Sequence, residues 1–254
     1  NEWRKSGDGW YYLDSEEGGA MATDKLIEDD DNTYYVDATG VMVKNTWVKV
    51  VNEDQDDDDQ AEYHYYYMQA NGKAIKAPDS GKTTFKTIDG KRYAFDDDGI
   101  MLWGWVNDNS ERESDDDGWK TATYYLGSWE DGAMKTNKTN ITIDGDSFNF
   151  YFEKSGSNKG AGLTGEKDDK YYLAGMLQKA GSDEKYQVLK KVTLSNGKVA
   201  YQKLDDAPAF LADVKSNTTD AIGTKTGSDK VTVGKTNTVT KKAEDLKEAY
   251  NITG

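Results

Sequence analysis

Residues 34–43 read Tyr34-Tyr35-Val36-Asp37-Ala38-Thr39-Gly40-Val41-Met42-Val43, a short aromatic strand, a polar turn and a short aliphatic strand. Asp37 and Thr39 suit the turn, and Gly40 can take the positive φ of a tight hairpin at no steric cost. The same order returns in Asp96-Asp97-Asp98-Gly99-Ile100-Met101 and in Glu130-Asp131-Gly132-Ala133-Met134. Each such stretch predicts one β-hairpin.

The aromatic pair occurs seven times, at Tyr11-Tyr12, Tyr34-Tyr35, Tyr66-Tyr67, Tyr93 with Phe95, Tyr124-Tyr125, Phe150-Tyr151 and Tyr171-Tyr172. Leading rings are 21 to 32 residues apart. A repeat of that size means stacked small units rather than one large core. A lone hairpin is marginal in water, so Met21, Met42, Met101 and Met134, each two places after a glycine, are read as packing between consecutive hairpins. The two longest intervals hold the acidic runs 53–59 and 111–117, which predict solvated loops between units.

The 254 residues are 35% hydrophobic, low for a single globular core, and the apolar mass is largely 17 Tyr and 7 Trp. Rings that bury a face and keep a polar tip wet suit a slender solenoid. The net charge of −15 lies almost wholly in residues 1–204 and argues against nucleic acid or an anionic membrane surface as partner. No apolar run is long enough for membrane insertion. Without cysteine there is no disulfide, thiolate metal site or thiol nucleophile. The start at Asn1, with Trp3 already inside a repeat, is read as a piece of something longer, attached to further domains.

Gly99-Ile100-Met101-Leu102-Trp103-Gly104-Trp105-Val106, Gly19-Ala20-Met21, Gly132-Ala133-Met134 and Trp10-Tyr11-Tyr12-Leu13-Asp14 resemble the choline-binding and glucan-binding cell-wall repeats of Gram-positive surface proteins. The likeness spans about residues 1–180. It implies a β-solenoid of hairpins that is secreted and held at the cell wall or cell surface. It also implies ligand sites between successive hairpins, each caged by tryptophan, a tyrosine of the next hairpin and methionine. Position by position these are Trp47 with Tyr66 and Met42; Trp105 with Tyr124 and Met101; and Trp3 and Trp10 with Tyr34 and Met21. Phe85 holds the tryptophan place ahead of Tyr93. The residue before the ring pair is tryptophan only at Trp10, and Arg92 or Lys170 there would set a like charge at the mouth of a cation cage, whereas stacking on a sugar ring needs fewer walls.

His64, the only histidine, lies between Tyr63 and Tyr65 on a predicted strand, and nothing near it has the form of a nucleophile elbow. The acidic runs lack the ligand order of a calcium loop. No enzyme activity, metal or cofactor is expected.

The resulting architecture is all-β: a β-solenoid of stacked short hairpins over 1–180, a longer capping hairpin over 181–204 with its turn at Asn196-Gly197, and a C-terminal extension over 205–254. The extension is either a linker or a small element with a short helix after Thr240. The function expected is non-catalytic binding of a cell-wall polymer or polysaccharide, choline-bearing or glucan. The alternative is a purely structural stalk.

Overall fold

The computed structural model describes residues 1–168, 170–178, 189–193 and 199–203. Among them the regular elements are β-strands and a single 3-10 turn at Gly118–Lys120. No helix among the described residues is long and apolar enough to cross a membrane. The chain divides into two compact units, Asn1–Gly118 with Tyr125–Met134, and Trp119–Tyr124 with Lys135–Gly254.

The first unit is a solenoid of short antiparallel hairpins. β1 (Glu2–Ser6) pairs with β2 (Gly9–Asp14), to which β3 (Ala20–Met21) adds. Then come β4 (Lys25–Asp29) with β5 (Asn32–Val36), β6 (Thr46–Val51) with β7 (Tyr63–Met68), and β8 (Lys86–Ile88) with β9 (Lys91–Tyr93). β10 (Trp105–Val106) opens the next repeat, and Tyr125, the second residue of β11 (Tyr124–Tyr125), leads into a reciprocal closure: Leu126 N–H donates to Gly104 O, and Gly104 N–H to Gly127 O, both at 2.8 Å.

Each aromatic strand proves to be the second strand of its hairpin, not the first. Tyr34 and Tyr35 pair with the preceding β4 across a turn at Asp30 and Asp31, both at positive φ (46° and 60°). The aliphatic stretch after Gly40 is held by one bridge, Val36 to Met42. The reason is local. Asp37 N–H donates to Val41 O at 2.9 Å and its Oδ1 accepts the Thr39 and Val41 amides, so the loop folds on itself before a second strand can extend. Asp96 closes residues 96–100 in the same way, with bonds from Asp98 and Ile100.

Repeats are joined through the backbone. Met42 N–H donates to Trp10 O at 2.8 Å, Ala74 to Thr33 at 2.7 Å, Met101 to Tyr65 at 2.7 Å and Met134 to Arg92 at 2.9 Å. The same residue places carry a second contact. A Cβ built on Gly72 would fall 2.3 Å from Met42 Sδ, and one on Gly132 would fall 2.3 Å from Met101 Sδ. Gly40, Gly72 and Gly132 thus let the loop of one repeat close onto a methionine of an earlier one, while Gly99 closes onto Ala74 and Ile75. Val36, Met68, Phe95 and Val106, each directly before its loop, are essentially inaccessible. Each contributes about 1.5–3 kcal/mol by burial.

The acidic run 53–59 lies within the β6–β7 hairpin, as its connecting loop, and not between units as expected. It is also more than a solvated tether. Asn52 Nδ2 donates to Ala61 O at 3.0 Å and to Asp59 Oδ2 at 3.2 Å, Asp56 Oδ1 accepts the Asp58 and Asp59 amides, and Ala61 is buried.

In the second unit one sheet runs in the order β12 (Asn137–Ile143), β13 (Asp146–Phe152), β16 (Met176–Leu177), β15 (Lys170–Leu173), β14 (Gly165–Lys167). β12 and β13 turn at Asp144-Gly145, both at positive φ, the dipeptide a two-residue hairpin prefers. Phe150 and Phe152 stack at 6.0 Å within it. Gly162 N–H donates to Thr123 O at 2.9 Å, the repeat link seen in the first unit. β17 (Leu189–Thr193) and β18 (Val199–Lys203) pair antiparallel, and β18 runs beside β15. The Asn196-Gly197 turn and residues 205–254, with the helix expected there, lie outside the described residues.

Candidate functional site

Strand register sets which rings meet. In β6–β7 the directly paired residues are Trp47 with Tyr67 and Val48 with Tyr66, so alternation sends Tyr66 to the opposite face from Trp47. Trp47 then has Tyr67 at 5.2 Å, Tyr93 at 4.9 Å and Phe95 at 5.9 Å, the last two from the following repeat. Tyr66 is buried instead with Val48, Met68 and Ala74. Met42 lies against the Gly72 turn. The expected grouping of Trp47 with Tyr66 and Met42 is therefore corrected to Trp47 with Tyr67, Tyr93 and Phe95. The displacement follows from the hairpin boundary, since Trp47 opens the hairpin that Tyr66 closes and its next-repeat ring is Tyr93.

At the first gap the grouping holds in part. Trp3 pairs with Tyr12 in β1–β2 and has Tyr12 at 5.0 Å and Tyr34 of the next hairpin at 5.1 Å, both edge-on. Its Nε1 donates to Asp29 Oδ2 at 3.1 Å. Trp10 and Met21 are exposed, Trp10 giving its carbonyl to Met42 and Met21 lying by the Gly40 turn. At the third, Trp105 meets Tyr125 at 4.6 Å, while Tyr124 belongs to the second unit and bridges to Ala161. Met101 is buried with Ile75, Ile88 and Phe95. Phe85 directly precedes β8.

The ring gaps are negative. Burial first, then the Asp29 and Asp30 carboxylates, push the Tyr34 phenol above its usual value. Burial, Asp131 and Asp89 do the same to Tyr93. Tyr66, outside the gap on the opposite face, is pushed up to about 12 mainly by burial. Carboxylates that disfavour a phenolate favour a cation beside the same ring.

Two family models match: a choline-binding repeat over residues 1–47 and a cell wall binding repeat over residues 83–101. These two stretches are similar to choline-binding and cell wall binding repeats. No curated protein matches the chain. Among solved structures, choline binding protein F from Streptococcus pneumoniae is 24% identical at a TM-score of 0.45, covering 79% of this chain and 56% of that one. The choline-binding domain of CbpL from the same organism is 21% identical at a TM-score of 0.40, covering 78% of this chain and 85% of that one. A multimodular pneumococcal cell wall endolysin from phage Cp-1, complexed with choline, is 17% identical at 0.30, covering 71% and 38%. This chain spans just over half the length of the first.

One further copy of the repeat loop carries no glycine and no methionine. Residues 106–112 close as 36–42 and 95–101 do: Asn107 N–H donates to Glu111 O at 3.0 Å, Asn107 Oδ1 accepts the Asn109 and Glu111 amides, and Val106 bridges Arg112. Ser110, at φ 60°, takes the glycine place and Arg112 the methionine place. The Arg112 guanidinium lies over the Trp103 ring, 3.4 Å from its centroid. His64, read as an ordinary strand residue, does stand on β7, and its Nε2 meets Asp59 Oδ2 at 2.7 Å. Neither Arg112 nor Trp103 was among the expected site residues. The pattern Asn-x-Asn-Ser after an apolar strand residue was the available signal.

Proposed function

We propose that this chain is a non-catalytic cell-surface module that binds a cell-wall polymer through ring-lined gaps between successive hairpins, taking a cationic group such as choline in preference to a neutral sugar. Trp47 carries the reading: it is half-buried, ringed by Tyr67 of its own hairpin and Tyr93 and Phe95 of the next, and the Tyr93 side of the gap faces Asp89 and Asp131. A desolvated cation over an aromatic face gains about 2 kcal/mol, so two good rings give roughly millimolar affinity. Several such gaps on one polymer raise avidity by roughly 10² to 10⁴. Secretion, attachment to a Gram-positive wall and closure of the stack by the β17–β18 pair belong to the same reading.

The edge-on packing of Trp47 against Tyr67 and Tyr93, at 74° and 70°, favours a second reading, a spacer whose rings are spent on stacking. Titration of intrinsic tryptophan fluorescence with choline and with soluble glucans separates the two. A saturable response to choline, with retention on intact cell walls, supports the module. Silence with both ligands and no retention leaves the spacer.

A further inference from the structure

The loop at 106–112 departs from its sister copies in the chemistry of one residue. Where Met42 and Met101 present a thioether to the next turn, Arg112 turns a guanidinium onto the face of Trp103. The arm is tied at two of its nitrogens. Its Nε donates to Trp103 O at 3.2 Å, and Nη1 donates to Asp58 O at 3.1 Å and to Asp59 Oδ1 at 3.4 Å. Asp59 is itself fixed from its other oxygen by His64 at 2.7 Å and Asn52 at 3.2 Å. The partners come from sequence positions more than 50 residues apart, so the acidic loop of β6–β7 reaches this repeat for the contact.

A ring face with a cation on it and a carboxylate behind the cation is what a bound ammonium ligand requires. Beside the arm opens a cleft of about 310 Å³ lined by His64, Asp96, Met101, Leu102, Trp103 and Arg112. Ser110 also lines it, buried, its hydroxyl without a hydrogen-bond partner. We infer that Arg112 is a built-in occupant: it fills, from within the chain, a cation site on Trp103, and the Asp59 loop is the latch that keeps this repeat from taking a quaternary ammonium ligand. The assignment deepens the function proposed above and rests on it for the class of ligand. Arg112 is thus a specificity-determining residue, one that closes a gap rather than furnishing it.

The seven indole N–H signals of ¹⁵N-labelled protein test this, with Trp103 assigned by Trp103→Phe and choline chloride as the probe. Arg112→Met installs the residue the sister loops carry. In this variant the Trp103 indole should shift saturably with choline, at roughly millimolar midpoint, while in the unmodified chain it stays still. Asp59→Asn, which keeps the size of a half-buried loop side chain and removes its charge, should give the same shift at a weaker midpoint because it loosens the latch. A still Trp103 signal in both variants, with the other six indoles at their native positions, overturns the inference. If Arg112→Met loses the native spectrum, Asp59→Asn alone decides it by the same criterion. The Trp3, Trp47 and Trp105 signals report separately on whether the chain binds choline at all, so failure of the general function and failure of the Arg112 latch are distinguishable.

Discussion

Trp47 and Tyr93 belong to consecutive repeats, and their ring centroids are 4.9 Å apart at 70°. One ring therefore joins two hairpins and walls the gap between them. Trp47→Ala should cost about 2–4 kcal/mol of stability, below the range for a fully buried tryptophan because Trp47 is half-buried. Trp47→Phe keeps most of the packing and should lose less than about 1.5 kcal/mol. If the gap binds ligand, Trp47→Phe still weakens choline binding severalfold, since phenyl is the poorer cation platform. Melting temperature read beside choline affinity checks both; affinity tracking stability alone would assign Trp47 to packing only.

The link from each loop to the repeat before it is an isolated bond, outside any named ladder. The amides of Met42, Ala74, Met101 and Met134 should nevertheless exchange with solvent as slowly as those of β6 and β7, because each donates to a carbonyl at 2.7–2.9 Å within the stack. Native-state hydrogen exchange reads this directly. Exchange at the rate of the Asp56–Asp59 loop would show that repeats separate independently.

Gly72→Ala should destabilise by about 2–4 kcal/mol, combining a left-handed backbone at φ 84° with a Cβ 2.3 Å from Met42 Sδ. Shortening the neighbour relieves only the second part. In the Met42→Ala background the same change should cost about 1–2 kcal/mol. A double-mutant cycle by urea denaturation gives the coupling, and strict additivity would mean that the glycine is kept for its backbone alone.

Asp96 and Asp37 hold the same loop place and titrate oppositely. Hydrogen bonds, led by the Thr39 hydroxyl, hold the Asp37 carboxyl below its usual value, whereas burial pushes Asp96 up to about 6. The folded state then holds the Asp96 proton more tightly than the unfolded chain, whose carboxyl titrates at about 3.9. Its contribution to stability is complete below that value and is lost as pH rises through about 6. Asp96→Asn keeps an acceptor for the Ile100 amide and removes the titration. The difference in melting temperature between the unmodified chain and this variant should shift in favour of the variant between about pH 4 and pH 7. A difference independent of pH would show that the carboxyl is not displaced.

The all-β repeat was legible because the aromatic pair, the polar turn and the methionine recur together, and stacking is the only way such small units bury them. The pairing partner of each aromatic strand was not. Tyr34-Tyr35 has a turn on either side, at Asp30-Asp31 and at Asp37–Gly40, and a period of two reads alike in both directions. What chooses between them is the Asp37 side chain folding its own loop shut, a three-dimensional effect of one carboxylate. That ambiguity displaced the rings expected around Trp47 by one hairpin, whereas Trp3 does meet Tyr34 of the next hairpin. The loop at 106–112 was hidden by substitution, Ser110 for glycine and Arg112 for methionine, although the Asn107 side chain accepts the same two loop amides as Asp37 and its own amide closes the loop alike.

Trp10, Thr33, Tyr65 and Arg92 share nothing as side chains, yet each accepts the same amide from the repeat that follows. Because the link runs through the carbonyl, the side chain at that place is left to differ, from exposed at Trp10 to fully buried at Thr33. The bond from repeat to repeat therefore survives a change from tryptophan to threonine or arginine, because it never depends on the side chain.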